Sequence, residues 1–284
     1  HSFDRLPGVS PGVYNEADFD AIGDLLYSEA GIVLPPGKAM LVYSRLAPLV
    51  RSNDCGTFAA FVRLIQDDAD ARRKAVCALT TNHTFFFREI HHFDHFVAEV
   101  RPRLMQRAAA GLPVRLWSAG CSSGEEPWSI SLSLLGDNKP AARAIIDGDV
   151  AILATDLADH ALATARGATY PSATLEAVPG ALRRAWITQH YGHATPCAGT
   201  QAPVRVRVLN LLRGSPIKTA FDAIFCRNVM IYFDQPTKER LIERLCERLA
   251  PGAFLYIGHS ERVTGRAAEK LSLVGNTIYQ RTGA

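Results

Sequence analysis

The 284-residue chain contains no unbroken apolar run of about 18 residues, the length a membrane-spanning helix needs. Direct membrane insertion is therefore not expected. A charged-then-apolar leader is also missing, so the chain reads as cytoplasmic. Neither sign of charge dominates. Lys and Arg number 31 and Asp and Glu 28, for a net +3, so nothing in the balance points to nucleic acid as a partner. Cysteine is sparse. Six are scattered at 55, 77, 121, 197, 226 and 246 with no C-x-x-C pair, which argues against a zinc site and a disulfide framework. Free, buried thiols are the expected state. No internal repeat and no low-complexity tract interrupts the chain. "NHT" at 82–84 fits a glycosylation acceptor, which carries little weight without secretion.

What remains is ordinary globular composition, 48% apolar and 21% charged, in a chain long enough for one large domain or two modest ones. Residues 16–110 read as all-helical. Phe19, Ile22 and Leu26 recur at helical spacing, "LPPG" at 34–37 breaks the chain, and a second helix follows from Lys38. Thr57 is a candidate N-cap before Phe58, Phe61, Val62 and Ile65. Further helices are expected over 71–79 and 91–109. From Leu112 the texture alternates. Strands are expected over 114–118, 150–155, 204–209, 221–226 and 253–258, with helices over 126–135, 158–166 and 236–249. That alternation predicts a mostly parallel sheet with helices on both faces. "LSLVGNTIYQRT" closes it as an antiparallel hairpin. Residues 167–203 read as an inserted subdomain.

The stretch "RLWSAGCSSGEEPWSI" (115–130) runs strand, tight loop, helix. Gly120 to Gly124 satisfies G-x-S-x-G, the pattern that exposes a nucleophilic serine, here Ser122, with Asp234 and His259 following in the right order. Against that, Glu125 and Glu126 occupy the first helical turn, where an oxyanion would need positive potential. The same carboxylates would repel a pyrophosphate. They suit a cationic ligand without phosphate, and S-adenosylmethionine, with its sulfonium and ammonium, is one. Complementing the helix dipole is the plainer role for one of them. In "ILATDL", Asp156 ends the second strand, where an acidic side chain accepts from ribose hydroxyls, or else caps the next helix. "FDAIFCRNVMIYFD" (221–234) puts Arg227 and Asn228 at another strand's carboxyl end.

With "LTTNHTFFFREIHHF" (79–93), "LNLL" (209–212) and "LAPGAFLYIGHSE" (249–261), these stretches resemble, in order and over most of the chain, the CheR-type methyltransferases that esterify glutamates on bacterial chemotaxis receptors. The resemblance implies an α/β fold: a doubly wound, mostly parallel sheet of the class I, Rossmann-like kind. It adds a C-terminal antiparallel hairpin, a small inserted β subdomain and an N-terminal all-α domain. The expected boundaries are a helical domain over 14–90, a linker helix over 91–111 and the methyltransferase domain over 112–284, carrying the insertion at 167–203. S-adenosylmethionine is the implied cofactor, S-adenosylhomocysteine the product, and no metal is implied. Asn82, Thr84 and Arg88 fall on the family's first ligand-contacting segment. Glu126, with Glu125 beside it, falls where the methionyl amino group binds, next to Gly120, and Asp156 falls on the ribose. Asn210 and Asn228, with Leu211 and Val229 adjoining them, fall on cofactor contacts. Tyr232 falls near the reacting centre with Arg88, and these two are the candidate catalytic residues.

The implied substrate is the cytoplasmic domain of a methyl-accepting receptor, met by a monomer. An acidic helical bundle calls for a positive helix face, and Lys38, Arg45 and Arg51 are the residues available. Ala47 and Pro48 stand where the best-known members carry more arginine, and Pro48 should kink or end that helix. The insertion reads as too short for a long free strand edge, which leaves recognition to the methylated region. His91 and His95 have a spacing that can hold a metal, but no third ligand accompanies them, and a helix-surface pair is the reading preferred. Two other functions stay open: a non-catalytic S-adenosylmethionine-binding module, and a serine hydrolase built on Ser122.

Overall fold

The structure, a computed structural model, describes residues 6, 8–80, 83–213 and 216–282. The chain forms two compact units, residues 1–81 with 232–238, and residues 82–231 with 239–284.

The first unit holds α1 (Glu16–Ala30), α2 (Ala39–Ser52), α3 (Phe58–Asp67) and α4 (Ala69–Leu79). Each start is written locally. Asn15 and Asp18 form a capping box at α1, Thr57 caps α3 by accepting from Ala60 N, and Asp68 caps α4. The apolar stripes meet in a core of Tyr14, Phe19, Ile22, Leu26, Val42, Leu46, Phe58, Phe61 and Ile65. The Tyr14 and Phe58 rings lie 4.4 Å apart there. Residues 232–238 complete the unit: Tyr232 O accepts from Val33 N (2.8 Å) and Asp234 accepts from the Tyr27 hydroxyl (2.5 Å). Helix α2 runs through Pro48 rather than ending there, with Pro48 on the solvent side.

In the second unit α5 (Ile90–His95) continues through a π-helical turn at Phe96–Val100 into α6 (Arg101–Ala109). Then come β1 (Val114–Ala119), α7 (Glu125–Leu135), α8 (Lys139–Ile146), β2 (Val150–Asp156) and α9 (Asp159–Gly167). The insertion carries β3 (Tyr170–Pro171), α10 (Gly180–Trp186), β4 (Ile187–His190), β5 (His193–Pro196) and α11 (Ala198–Gln201). The chain ends with β6 (Val204–Val208), β7 (Phe221–Cys226), α12 (Gln235–Arg248), β8 (Leu249–Ile257), β9 (Leu271–Gly275) and β10 (Ile278–Arg281). Residues 235–238 of α12 count with the first unit.

The main sheet has the order β6-β2-β1-β7-β8-β10-β9, parallel from β6 to β8 and antiparallel in β10 and β9. All six residues of β7 are buried, as a central parallel strand covered on both faces requires. Winding starts at β1, proceeds outward through β2 to β6, and then reverses to β7 and β8. With right-handed crossovers, that reversal puts helices on opposite faces and opens a crevice at the carboxyl ends of β1 and β7. The insertion folds as a separate antiparallel sheet, β3-β5-β4, whose β4 edge is four residues long. Strand β8 starts four residues earlier than the pattern predicts, at Leu249 rather than Ala253.

Arg45 on α2 is half-buried and donates to the carbonyls of Ala78 (3.4 Å) and Thr80 (3.0 Å), where α4 ends. Lys38 and Arg51 are exposed. We expect Arg45→Ala to lower the unfolding free energy by about 1 kcal/mol and Lys38→Ala or Arg51→Ala to change it by less than about 0.5 kcal/mol, measured by urea unfolding.

Candidate functional site

The loop after β1 turns where only particular residues fit. Gly120 (φ +81°) and Gly124 (φ +103°) are left-handed. A Cβ on Gly120 would lie 2.4 Å from Val229 Cγ2, and one on Gly124 would lie 2.6 Å from the Tyr170 hydroxyl. Ser122 is left-handed without being glycine (φ +51°), a strain that persists only when neighbours hold it. Gly120 N and Cys121 N both donate to Thr155 O (2.8 Å each), and Ser122 N donates to Asp156 Oδ2 (2.8 Å). The Tyr170 hydroxyl donates to Ser123 O (2.6 Å). Asp156 Oδ1 accepts from Ala158 N (2.9 Å). Asp156 thus ties the loop to the turn that leads into α9. The Ser122 hydroxyl is buried and has no partner among the described residues.

The two glutamates divide. Glu126 points inward and is buried. Its Oε1 accepts from the Ser118 hydroxyl (2.6 Å) and its Oε2 from Arg227 Nε (2.8 Å). Burial pushes its carboxyl up, while Arg227 and Ser118 pull it back. Glu125 is half-buried, with Oε2 accepting from the Ser123 hydroxyl (2.6 Å); burial raises its carboxyl too. Glu126 is buried with its charge paired to Arg227, whereas Glu125 is half-buried at the loop.

Arg227 is the hub. Its guanidinium lies over the rings of Phe93 (5.2 Å) and Phe225 (5.9 Å). Nη1 donates to Arg88 O (2.5 Å) and lies 3.2 Å from His92 Nδ1 and 3.5 Å from Glu89 Oε2. The network fixes the histidine's tautomer. Thr277 gives its proton to Asn276 O (2.7 Å) and so accepts from His92 Nε2 (2.9 Å), leaving Nδ1 to accept from Arg227. Burial first, and Arg227 next, push the His92 pKa down to about 3. Glu89 is left-handed (φ +56°), and its Oε1 accepts from His259 N (2.9 Å) and Nδ1 (3.1 Å).

Other expected residues fall as follows. Arg88 is half-buried, its Nη1 donating to His83 O (2.6 Å) and its guanidinium 5.8 Å from the Phe85 ring centre. Thr84 is half-buried nearby in sequence, and Asn82 lies outside the described residues. Asn228, left-handed at φ +59°, and Val229 end the β7 side of the crevice. Asn210 follows β6 and turns the chain by accepting from Leu212 N (2.9 Å), while Leu211 O accepts from Arg244 (3.4 Å). Tyr232 belongs to the first unit. His91 faces Asn276 O and His95 faces the Tyr256 hydroxyl, so the pair does not converge. Among the described residues no three His, Cys, Asp or Glu side chains gather as a metal would require. Of the other residues a Ser122 triad would use, His259 Nδ1 bonds Glu89 in the second unit and Asp234 accepts from the Tyr27 hydroxyl in the first.

The inward role of Glu126, with its partner Ser118, and the place of Glu89 beside Arg227 escape a reading of the sequence. The only signal was Arg227 itself, a charge ending an apolar strand.

A crevice at a switch point, with a glycine turn and carboxylates where phosphates would be repelled, is the arrangement of class I S-adenosylmethionine-dependent methyltransferases. Comparison with known proteins narrows this. The family described as "CheR methyltransferase, SAM binding domain" matches residues 82–280, and "CheR methyltransferase, all-alpha domain" matches residues 17–80. A probable chemotaxis protein methyltransferase of Rhizobium etli is 42% identical over 264 residues, 91% of this chain and 97% of that protein. Chemotaxis protein methyltransferase 2 of Pseudomonas aeruginosa is 38% identical over 271 residues, 94% of this chain and 93% of that protein. The Escherichia coli chemotaxis protein methyltransferase is 34% identical over 272 residues, 93% of this chain and 91% of that protein. The chain belongs to the CheR methyltransferase family, and S-adenosylmethionine is its cofactor.

The lowered His92 pKa has a consequence for stability. His92 stays neutral when folded and takes up a proton on unfolding below its ordinary value of 6.5. Between pH 6.5 and about 3 the unfolded state binds more protons, so this group's contribution to stability falls as pH falls. We expect a loss of up to about 1.4 kcal/mol per pH unit below 6 from this residue. Urea unfolding of wild type and His92→Gln at several pH values isolates it, because the variant should lack that part of the slope.

Proposed function

We propose that the protein transfers the methyl group of S-adenosylmethionine to glutamate side-chain carboxylates on the cytoplasmic domain of chemotaxis receptors, releasing S-adenosylhomocysteine. The observation that carries the reading is the split between the paired glutamates. With Glu126 committed to Arg227 and Ser118, Glu125 is available to the cofactor's ammonium at the loop. The Ser122 hydroxyl, without a partner among the described residues, offers a further polar group for the methionyl end. Asp156 already receives two backbone N–H groups, yet each oxygen keeps a lone pair for a ribose hydroxyl. Asn228, Val229, Asn210 and Leu211 complete the reading on the β7 and β6 side. The relatives' names as chemotaxis protein methyltransferases support the receptor as substrate.

The chemistry asks little of a base. A glutamate carboxylate, with a pKa of about 4.3, is already ionised at neutral pH. The oxygen–methyl bond forms as the sulfur–methyl bond breaks, and the sulfonium sulfur keeps the electron pair. The protein's work is alignment and removal of water from the nucleophile. Arg88 can fork onto a carboxylate, since among the described residues one of its nitrogens is held, by His83 O. On the first unit, Lys38 and Arg51 are the exposed cations of the expected recognition set, whereas Arg45 is engaged by carbonyls of its own unit.

Incubation with radiolabelled S-adenosylmethionine and the receptor membrane fraction tests the reading. Label released as methanol by mild alkali is the expected result, and base-stable label would overturn the carboxyl ester. In parallel, Glu125→Ala should weaken S-adenosylhomocysteine binding by about 1–3 kcal/mol, as the loss of a charged hydrogen bond does. Ser122→Ala should retain most of the transfer.

A further inference from the structure

Asn228 holds a left-handed backbone at φ +59° although it carries a side chain. Such a conformation persists where its surroundings over-determine it, and two residues do so here. Glu261, only 5% exposed, turns its carboxylate into the turn that follows β7. Its Oε2 accepts from Gly258 N (2.6 Å) and Asn228 N (3.2 Å), and its Oε1 accepts from Met230 N (2.8 Å). Gly258, at the end of β8, closes the other side. A Cβ there would lie 2.5 Å from Asn228 Oδ1 and 2.7 Å from Asn228 N, so the amide rests where only glycine leaves room. One buried carboxylate therefore gathers three N–H groups from the ends of two neighbouring strands, and Asn228 is the residue bent between them.

We propose that Glu261 is a positioning residue for the cofactor site: its carboxylate holds the turn at Asn228 and so sets where the Asn228 amide stands. The inference rests on the reading that Asn228 contacts S-adenosylmethionine. A glutamine at 261 would keep the shape but aim an NH2 group at backbone N–H groups, two donors facing each other, which should release the turn.

A double-mutant cycle on S-adenosylhomocysteine affinity tests this, using wild type, Asn228→Ala, Glu261→Gln and the double variant, with titration calorimetry for the dissociation constant and thermal melting for stability. Each single change should weaken binding about tenfold, and Glu261→Gln should add nothing further once Asn228 is alanine. A merely structural Glu261 would lower the melting midpoint and leave the affinity of the folded protein intact. Wild-type affinity in Glu261→Gln, or losses that add in the double variant, would overturn the proposal while the Asn228 contact stands. Wild-type affinity in Asn228→Ala would overturn it by removing the contact it rests on. Should Glu261→Gln fail to fold, Glu261→Asp withdraws the carboxylate by one methylene and runs the same cycle with the same outcomes.

Discussion

A buried ion pair, Arg227 with Glu126, sets the constraint on which the rest of the site depends. Two charges removed from water are tolerated only when their remaining hydrogen-bonding capacity is used. The structure uses it: Ser118 takes the second oxygen of Glu126, and Arg88 O, His92 and Glu89 share one nitrogen of Arg227. The partners come from three places: Ser118 from β1, Glu126 from α7, and Arg88, Glu89 and His92 from α5 and the segment leading into it. The pair therefore fixes the end of β7, the first turn of α7 and the segment leading into α5 relative to one another. These are the three places that the cofactor reading requires. Because His92 is held neutral, with Nδ1 as an acceptor, the guanidinium meets no competing positive charge.

Around that hub, carboxylates do different work according to where they point. Glu126 neutralises Arg227. Glu125, one residue earlier, is turned about 100° around the helix and stays at the loop. Asp156 and Glu261 each gather backbone N–H groups, and each holds a left-handed residue, Ser122 and Asn228 respectively. The crevice is thus bordered on two sides by strained backbone held in place by buried or half-buried acid. Such pre-formed turns let a site meet its ligand with little ordering left to do.

Much of this was legible beforehand, and the reasons are local. The strand ends at Ala119, Asp156 and Cys226 follow from apolar runs bounded by glycine or polar residues. The tight turn follows from Gly120 and Gly124, whose added Cβ atoms would strike Val229 and Tyr170. Both readings of Asp156 began from sound chemistry, and its two N–H partners explain the capping one. What could not be read depends on distant partners. Nothing local says which of two adjacent glutamates turns inward, because the deciding arginine lies 101 residues away. Arg45 looked like a free cation, but carbonyls more than 30 residues on engage it. Pro48 was expected to kink or end α2. Helix α2 continues through Pro48, which lies on the exposed side of the helix with Ser44 one turn before it. The short helices α8, α10 and α11 were not anticipated, since four to eight residues leave too little periodicity to see.

The dependence on the buried pair can be measured directly by urea unfolding of Glu126→Gln, Arg227→Met and the double variant. Removing one partner leaves the other charge buried and unpaired, so each single change should cost about 3–5 kcal/mol, while the double should cost well under the sum of the two. Single variants within about 0.5 kcal/mol of wild type, or losses that simply add, would show that the Arg227–Glu126 contact does not hold the site together.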